Sequence, residues 1–456
     1  MIDTLLVGNR GEVAVRIVRA CRLLGIRSVV AHSMADRDTL PVRLADDRVC
    51  LGPAQAGHSY LSIPALLYAC VRVDADAVHP GYGFLAENSD FAAACRDSGI
   101  TWIGPSPEHI ALLGDKIATR NEMVRAGIPV PPGSRTHVTD LHDATRQARD
   151  IGYPIALKSA SGGGGRGVLR VGDAGHLAEC YGRARDSARA LFQDSRLYVE
   201  KWVDNARHVE VQVLGDRHGD VITLGERDCS VQRRNQKLIE ESPAPGLTPA
   251  VREALGDWAG RAARHLGLRN LATVEFLVDD RGEVFFTEIN PRLQVEHPVT
   301  ESVTGQDLVA WMIREATGEP VPCTQDEVRS RGHALEARIT AEDPENDWVP
   351  GCGTVTGYVV PGGPGIRVDT WLTHGTVVSP HYDPLLAKVV SWGPDRDTAR
   401  RRLIQALDEF TCDGVAHNAK ALTAILRHDE FSSGEHRAGV VERACPRRAP
   451  NDEVDL

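Results

Sequence analysis

The chain has 456 residues, of which 42% are hydrophobic and 25% charged, and its formal charge is −11 at pH 7. This length provides for roughly two or three domains, and the negative charge argues against nucleic acid or an anionic membrane surface as a partner. Because the sequence shows no signal peptide, transit peptide or apolar run of membrane length, it predicts a soluble, cytoplasmic protein without membrane association.

The ten cysteines are scattered singly and form no CxxC pair. This spacing predicts reduced, mostly buried thiols rather than disulfides or structural zinc. Lysine is rare, since arginine supplies 46 of the 52 basic residues. The lysines are Lys116, Lys158, Lys201, Lys237, Lys388 and Lys420. Each is either a surface remnant or a position that needs a compact, mobile point charge, as phosphate and carbonate oxygens often do.

Residues 1 to about 105 alternate between short apolar strands and amphipathic helices, which is typical of a doubly wound α/β domain. Strands are predicted at 4–7, 27–32 and 76–78, and a helix at 12–24 that ends at Gly25. The turn at 8–11 has only two glycines, so it does not support an NAD site. The stretch from His79 to Asn88 suits a ligand-binding loop at the carboxyl end of a strand.

A glycine run lies between the apolar strands predicted at 155–157 and 168–171. Its members are Gly162, Gly163, Gly164, Gly165 and Gly167. Such a run is either a flexible linker or a mobile lid whose amides approach phosphates, and its place between two strands favours the lid. It is not a Walker loop, because no Gly-Lys-Ser/Thr sequence closes it.

Polar and apolar side chains alternate from residue 288 to residue 296. The polar members are Glu288, Asn290, Arg292, Gln294 and Glu296. In an extended segment these side chains lie on one face, which is either a solvated edge strand or a functional surface.

The preceding segment favours a functional surface, because it predicts a β-hairpin with strands at 273–278 and 283–288. Closing its loop at residues 278 and 283 pairs residue 275 with 286 and residue 273 with 288. Glu275 then shares a face with Glu288 and Asn290, and two carboxylates and an amide suit a Mg²⁺-nucleotide site. The remaining polar groups could hold an anion and remove a proton, so the pattern predicts phosphoryl transfer to a second substrate.

The order of these parts is that of an ATP-grasp ligase: a strand ending at Lys158, the glycine lid, a strand ending at Glu200-Lys201, and the paired-glutamate hairpin. From residue 4 to about 445 the chain resembles the biotin carboxylase component of biotin-dependent carboxylases. The motifs that carry this resemblance are Gly8-Asn-Arg-Gly-Glu12, residues 79–88, Glu226-Arg-Asp-Cys-Ser230, Arg292-Leu-Gln-Val-Glu-His-Pro298 and Gly332-His-Ala-Leu-Glu-Ala-Arg338.

The resemblance implies a role for each site residue. ATP phosphates would be held by Lys116, Lys158 and the lid glycines. Adenine and ribose would be surrounded by Glu200, Lys201, His208, Gln232 and Asn235. The metal, Mg²⁺ or Mn²⁺, would be bound by Glu275, Glu288 and Asn290. Bicarbonate would be held by Lys237, Arg292, Gln294, the Val295 amide and Glu296, with Glu296 as base, and Arg338 would face the biotin ureido oxygen.

Two local sequences qualify these roles. His208-Val-Glu210 matches the start of a zinc-deaminase signature, but the Pro-Cys-x-x-Cys part that this signature requires is missing. Asn235 stands where the family usually has histidine, which puts one ribose contact in doubt. Because asparagine can still donate and accept hydrogen bonds, we expect weaker nucleotide affinity at most.

The resemblance also implies an α/β fold of the ATP-grasp type. A Rossmann-like, doubly wound N-terminal domain would span residues 1–113, and an ATP-grasp domain residues 114–320, with a mobile lid at about 131–203. A strand-rich C-terminal domain would follow at 321–445, and residues 446–456 would form a tail.

The implied activity is ATP-dependent carboxylation of biotin with bicarbonate through carboxyphosphate. This is the first half-reaction of an acyl-CoA carboxylase such as acetyl-CoA or propionyl-CoA carboxylase. The implied partners are a separate biotin carboxyl carrier protein, a carboxyltransferase subunit and a second copy of the chain. None of the four methionines flanks a lysine and the chain stops just past the resemblance, so we expect no biotin on this chain.

Two rival functions remain open from the sequence. The first is an ATP-grasp ligase that activates a different carboxylate, and the second is a non-catalytic subunit that binds nucleotide. ATP hydrolysis that requires bicarbonate and responds to free biotin separates both rivals from a biotin carboxylase.

Overall fold

The computed structural model describes residues 2–162, 165–321 and 323–446. Two predictions fall outside these ranges: the roles of Gly163 and Gly164 in the lid, and nearly all of the predicted tail, residues 447–456. Within the described ranges no helix is both long and apolar enough to span a bilayer. All ten cysteines are free, and five of them are buried.

The N-terminal region is a parallel sheet covered by helices on both faces. Its elements are β1 Thr4–Val7, α1 Gly11–Leu24, β2 Arg27–Ser33, α2 Leu40–Leu44, β3 Asp47–Gly52, α3 Ile63–Arg72, β4 Ala77–His79, α4 Ser89–Asp97 and β5 Thr101–Trp102. The strand order β3-β2-β1-β4-β5 is doubly wound, as predicted. Helix α1 ends because Gly25 adopts a left-handed conformation, with φ of 71°.

A small antiparallel sheet follows, with the order β7-β6-β8. The elements of this part are α5 Pro107–Gly114, α6 Lys116–Arg125, α7 Leu141–Ile151, β6 Ile155–Ser159, β7 Val168–Val171, α8 Leu177–Phe192 and β8 Leu197–Lys201. The sheet has its own apolar core against α7 and α8, which includes Ile155, Leu157 and Val199. The glycine run therefore connects two paired strands, β6 and β7, as the sequence predicted.

The central part contains the paired glutamates. Its elements are β9 Arg207–Gly215, β10 Val221–Arg233, β11 Gln236–Ser242, α9 Pro249–Leu266, β12 Asn270–Val278, β13 Val284–Asn290, α10 His297–Thr304 and α11 Leu308–Thr317. Helix α9 packs on this sheet through Leu255, Ala259 and Ala263 against Val211 and Phe276. The opposite face of the sheet is therefore left to polar side chains.

The C-terminal region is rich in strands, as predicted. Its elements are β14 His333–Thr340, β15 Glu342–Asp343, β16 Val349–Pro350, β17 Gly353–Thr354, β18 Gly357–Val359, β19 Ile366–Thr370, β20 Val377–Val378, β21 Leu385–Gly393, α12 Arg396–Glu409, β22 Thr411–Asp413, α13 Ala419–Arg427, α14 Asp429–Ser432 and α15 Val440–Ala444. Strands β14, β21 and β19 extend the central sheet, whose order is β13-β12-β9-β10-β11-β14-β21-β19. One sheet thus crosses the predicted boundary at residue 320.

The pairing of β12 with β13 differs from the predicted register. Val278 pairs with Val284, and a bulge between Glu275 and Phe276 then shifts the ladder, so that Glu275 lies opposite Glu288. The predicted pairing of residue 275 with residue 286 is therefore wrong. Directly paired residues share a face of a sheet. The two carboxylates therefore lie on one face, as predicted, and they are direct neighbours across the two strands.

The predicted extended segment also ends earlier than expected. Strand β13 stops at Asn290, and residues 291–296 form an irregular loop that leads into α10. Strict alternation therefore does not place Arg292, Gln294 and Glu296 on a common strand face. Their side chains are positioned by individual contacts instead, because a loop has no ladder to fix them.

Candidate active site

The β12–β13 hairpin brings three oxygen-bearing side chains together. Asn290 Nδ2 donates to Glu275 Oε1 at 2.7 Å, and Glu275 lies opposite Glu288. Lys116, at the first position of α6, places its Nζ 2.9 Å from Glu288 Oε2. Two carboxylates and an amide are hard oxygen donors of the kind that Mg²⁺ prefers. The residues present therefore fit the predicted metal.

A second lysine lies on the lid sheet. Lys158 on β6 places its Nζ 2.5 Å from Glu200 Oε1 on β8. Lys201, which follows Glu200 on β8, points to the other face of the sheet, and its Nζ donates to the carbonyls of Gly152 and Tyr153, both at 3.0 Å. Successive residues of a strand point to opposite faces. The structure therefore brings Lys158 and Glu200 together and holds the Lys201 ammonium against the lid backbone.

The predicted nucleotide contacts on β9 and β10 lie beside Glu275, one of the predicted metal ligands. His208 Nε2 is 2.8 Å from Glu275 Oε2, and its Nδ1 is 3.0 Å from Gln232 Nε2. Gln232 also donates to the carbonyl of Cys229 at 2.7 Å. His208 thus connects the predicted ribose side of the site to the predicted metal side.

Asn235 lies at the tip of the β10–β11 hairpin and touches the lid. Arg234 and Asn235 have φ values of 49° and 65°, as a two-residue hairpin turn requires. Asn235 Nδ2 donates to the Gly165 carbonyl at 2.9 Å. A Cβ atom on Gly165 would lie 2.5 Å from Asn235 Cβ, so glycine is needed for this approach.

Beyond Glu275 and Glu288 lies a buried cluster around Lys237 and Glu296, which we call the Glu296 cluster. Lys237 Nζ is 2.6 Å from Glu296 Oε1, 2.6 Å from Glu210 Oε2 and 3.3 Å from Glu275 Oε1. Arg338 Nη2 is 2.8 Å from Glu296 Oε2, and Arg338 Nε is 2.5 Å from Glu240 Oε1. Each oxygen of Glu296 therefore pairs with a different cation.

The loop at 291–296 supplies the remaining predicted groups. Arg292 donates to Gln294 Oε1 at 3.0 Å and to Asn290 Oδ1 at 3.2 Å, and its Nε is 3.2 Å from Glu87 Oε1. The carbonyl of Val295 accepts a hydrogen bond from Lys388 Nζ at 2.8 Å. The loop is thus held between the β12–β13 hairpin and strand β21.

Comparison with known proteins identifies the family. Three family profiles match: "Biotin carboxylase, N-terminal domain" at residues 1–110, "Carbamoyl-phosphate synthase L chain, ATP binding domain" at 115–324, and "Biotin carboxylase C-terminal domain" at 336–443. The biotin carboxylase of Nostoc sp. is 45% identical over 96% of this chain and 98% of its own length. The chain belongs to the biotin carboxylase family.

Solved structures of the family agree with this assignment. The biotin carboxylase of Campylobacter jejuni superposes with a TM-score of 0.95 at 40% identity, covering 97% of this chain and 99% of its own. The biotin carboxylase domain dimer of Hydrogenobacter thermophilus 2-oxoglutarate carboxylase, solved with MgADP, ADP and bicarbonate, gives 0.94 at 42% identity, covering 97% and 98%. The predicted ATP-grasp fold is thereby confirmed, whereas the individual site roles and domain boundaries stay predictions.

The electrostatics of the Glu296 cluster keep this carboxylate, the base that the biotin carboxylase resemblance implies, in its charged form. Burial raises the pKa of Glu296, but Lys237, Arg338 and Arg227 lower it more, so it lies well below its ordinary value. Glu240, by contrast, has its pKa raised to about 7, chiefly by burial and against the pull of Arg338. Glu296 is therefore ionised at neutral pH and can accept a proton.

Sequence reasoning missed three charged residues of this cluster. Glu210 and Arg227 are completely buried, with Arg227 Nε donating to Glu210 Oε1 at 2.7 Å, and Glu240 pairs with Arg338. Glu210 stands in a polar alternation with His208 and Gln212 along β9, which was the available signal. Glu210, Arg227 and Glu240 lie on three different strands, β9, β10 and β11, so their spacing in the sequence does not indicate that they meet.

Proposed function

We propose that this protein catalyses ATP-dependent carboxylation of biotin with bicarbonate. The observation that carries the proposal is Glu296, a buried carboxylate held between Lys237 and Arg338 and joined through Lys237 to the metal carboxylate Glu275. A base, an anion-binding ammonium and a metal site are thus contiguous, as phosphorylation of bicarbonate by ATP requires. The family assignment supports the same activity.

In the first step, Glu296 takes the hydroxyl proton of bicarbonate while Lys237 and Arg292 hold the anion. The freed oxygen attacks the γ-phosphorus of ATP, the bond to the β-phosphate oxygen breaks, and carboxyphosphate and ADP form. Lys116 and Lys158 hold phosphate oxygens. A divalent cation on Glu275, Glu288 and Asn290 would neutralise charge on the phosphates as the bond breaks.

In the second step, carboxyphosphate breaks down to CO₂ and phosphate. The phosphate removes the N1 proton of biotin, and N1 then attacks CO₂ to form carboxybiotin. Negative charge develops on the ureido oxygen as the proton leaves, and the Arg338 guanidinium provides a fixed cation for it. Burial lowers the pKa of Arg338, but the carboxylates Glu240 and Glu296 raise it more, so it lies above its ordinary value and the cation stays charged.

Biotin reaches the site on a separate carrier protein, in this proposal. Lys116, Lys158 and Lys388 are buried, while Lys201 and Lys237 lie on strands of the lid and central sheets. Lys420 is exposed but lies within helix α13. A biotin ligase attaches biotin to an exposed lysine on a turn, and none of the six lysines, all of which the structure describes, has that placement.

A homodimer working with a carboxyltransferase subunit in the cytoplasm completes the proposal. The Hydrogenobacter relative is a dimer. Relatives serve different acceptors, since one is a subunit of methylcrotonoyl-CoA carboxylase and another belongs to pyruvate carboxylase. Co-purification of the transferase subunit and assay of the complex against acetyl-CoA and propionyl-CoA would identify the acceptor.

The test is a steady-state assay of ADP release by the purified protein. We expect hydrolysis to require bicarbonate and Mg²⁺ and to rise with free biotin, and to rise further with a biotinylated carrier. Hydrolysis driven by an amino acid without bicarbonate would indicate a different ligase, and nucleotide binding without turnover a non-catalytic subunit. Intact-mass analysis after co-expression with a biotin ligase should show no biotin on this chain.

A further inference from the structure

Lys388 is a lysine without a role in the site described so far. It lies in the middle of β21 and is completely buried. Its Nζ is 3.0 Å from Glu12 Oε1 and 2.8 Å from the carbonyl oxygen of Val295. Burying an ammonium is costly, so each contact of this group calls for a reason. Glu12 balances the charge, but the Val295 contact reaches into the loop that carries Glu296.

That loop depends on side-chain contacts for its placement. Its neighbour β13 stops pairing at Asn290, so residues 291–296 have no strand ladder to fix them. A peptide unit is planar, and its plane contains the carbonyl of one residue and the N–H and Cα of the next. A hydrogen bond that fixes the Val295 carbonyl therefore also fixes the amide and Cα of Glu296.

Lys388 and Arg338 act on the same stretch from neighbouring strands. They are paired directly across β14 and β21, so their side chains leave the sheet on one face. Arg338 contacts the Glu296 carboxylate at 2.8 Å, and Lys388 contacts the carbonyl of the preceding residue at 2.8 Å. Two adjacent cations thus contact this stretch, Lys388 at the Val295 carbonyl and Arg338 at the Glu296 carboxylate.

The lysine also meets two N-terminal motifs, residues 8–12 and residues 79–88. Glu12 is the second residue of α1 and accepts a hydrogen bond from the Tyr82 hydroxyl. Asn9 Nδ2 donates to the carbonyls of Pro80 at 2.6 Å and Tyr82 at 2.8 Å. Lys388 Nζ lies 6.0 Å from the centre of the Tyr82 ring. The two N-terminal motifs are therefore joined to each other and, through Lys388, to the catalytic loop.

We propose that Lys388 is a positioning residue for carboxylation. It fixes the Val295–Glu296 peptide unit and so places the Glu296 carboxylate for bicarbonate. This inference rests on the proposed function, because it assigns Lys388 to the bicarbonate step. The expected consequence is selective: ATP binding, which uses Lys116, Lys158 and the metal hairpin, does not depend on the Val295 carbonyl.

The experiment compares Lys388→Met, Glu12→Gln and the double variant with the wild type. Lys388→Met leaves Glu12 buried without its cation, so we expect a lower Tm, and the double variant regains part of the loss because Glu336 and Asp369 still lack the ammonium. Both variants that lack the lysine should lose about 10–100-fold in kcat/KM for bicarbonate, since small misplacement of a reacting group has effects of this size. Their KM for ATP should stay within about twofold of the wild type, because the variants leave the residues that bind ATP in this proposal unchanged.

Two controls separate positioning from a structural role. Glu12→Gln keeps the lysine on Val295 and should lose much less bicarbonate kcat/KM than Lys388→Met. Lys420→Met, on the exposed surface of α13, should match the wild type in every assay. Restored bicarbonate kinetics in the double variant, or an equal loss in Glu12→Gln, would overturn the proposal. A wild type without bicarbonate-dependent ATP hydrolysis would instead overturn the proposed function.

Discussion

At the scale of single residues, the decisive feature is the balance of charge around Glu296. Lys237 is shared among Glu210, Glu275 and Glu296, so its positive charge is divided between the metal side and the base. A bound bicarbonate would draw part of that charge to itself. Lys237 would then lower the pKa of Glu296 less, and the carboxylate would become more basic as bicarbonate binds, which is what the proposed base requires.

We expect Glu296→Gln and Lys237→Ala each to lose most carboxylation while nucleotide still binds. Removing a positioned base costs about 10²–10⁴-fold in rate, and removing the lysine leaves three carboxylates facing one another. Bicarbonate-dependent ADP release and calorimetric titration with ADP measure the two effects. Near-normal turnover in either variant would contradict the assignment.

Glu240→Gln is the matched control for this pair, because Glu240 is equally buried and also contacts Arg338. The glutamine keeps an acceptor for the guanidinium and removes one carboxylate. We expect a smaller loss than in Glu296→Gln. An equal loss would show that any missing negative charge near Arg338 suffices to explain the result.

At the scale of elements, irregularities in regular strands position the site. The bulge after Glu275 places this carboxylate opposite Glu288, and the tight turn at Arg234 and Asn235 carries the β10–β11 hairpin to the lid. A bulge adds a residue to one strand and changes which side chains face each other. Both features act on predicted site residues, the first on Glu275 and Glu288 and the second on Gly165.

The hairpin tip gives a prediction that separates backbone strain from lid contact. Asn235→Ala should lower stability by about 1–2 kcal/mol, because alanine disfavours the left-handed conformation, whereas Asn235→Gly should not. Both variants lose the hydrogen bond to Gly165, so both should raise the KM for ATP by a similar factor. Thermal denaturation and ATP titration of the rate measure the two effects. An unchanged KM in both would show that the contact with Gly165 is dispensable.

At the scale of the whole molecule, the continuous central sheet joins the ATP-binding and C-terminal regions. Glu241 on β11 lies at this junction, where its Oε2 is 2.6 Å from both His333 Nε2 and Arg396 Nε. His333 begins β14 and Arg396 begins α12. The two regions therefore share backbone hydrogen bonds and a buried ion cluster, and this explains how Glu296 from one region meets Arg338 from the other.

This junction predicts an acid-sensitive contribution to stability. Burial raises the pKa of Glu241, but hydrogen bonds from His333 and Arg396 lower it more, to about 2, from an ordinary value of 4.5. A lowered carboxyl pKa stabilises the fold above pH 4.5, and that contribution is lost as pH falls from 4.5 to 2. Its size is about 3 kcal/mol at 1.36 kcal/mol per pKa unit.

We therefore expect Glu241→Gln to lower Tm at pH 7 and to show a shallower decline in Tm between pH 4.5 and 3. Glu442→Gln, which removes an exposed carboxylate from α15, should leave both unchanged. Parallel Tm profiles for Glu241→Gln and the wild type below pH 4.5 would contradict the linkage to Glu241.

The sequence by itself determined the local elements and the inventory of chemical groups. Strand β1, the end of α1 at Gly25 and the paired strands around the glycine run follow from local periodicity and turn residues, which depend only on neighbours in the chain. The biotin carboxylase motifs likewise stand in the sequence as continuous stretches. Family membership could therefore be predicted, and the comparisons confirmed it.

The tertiary structure decided how groups far apart in the chain meet. The bulge after Glu275, the loop that replaces a strand beyond Asn290, and the arrival of Glu210 and Glu240 beside Glu296 all depend on strand pairing. Lys388 is the clearest case, since the sequence showed a lysine in an apolar strand and only the fold places it on Val295. Long-range pairing is chosen by packing of the whole sheet, and local periodicity carries no record of that choice.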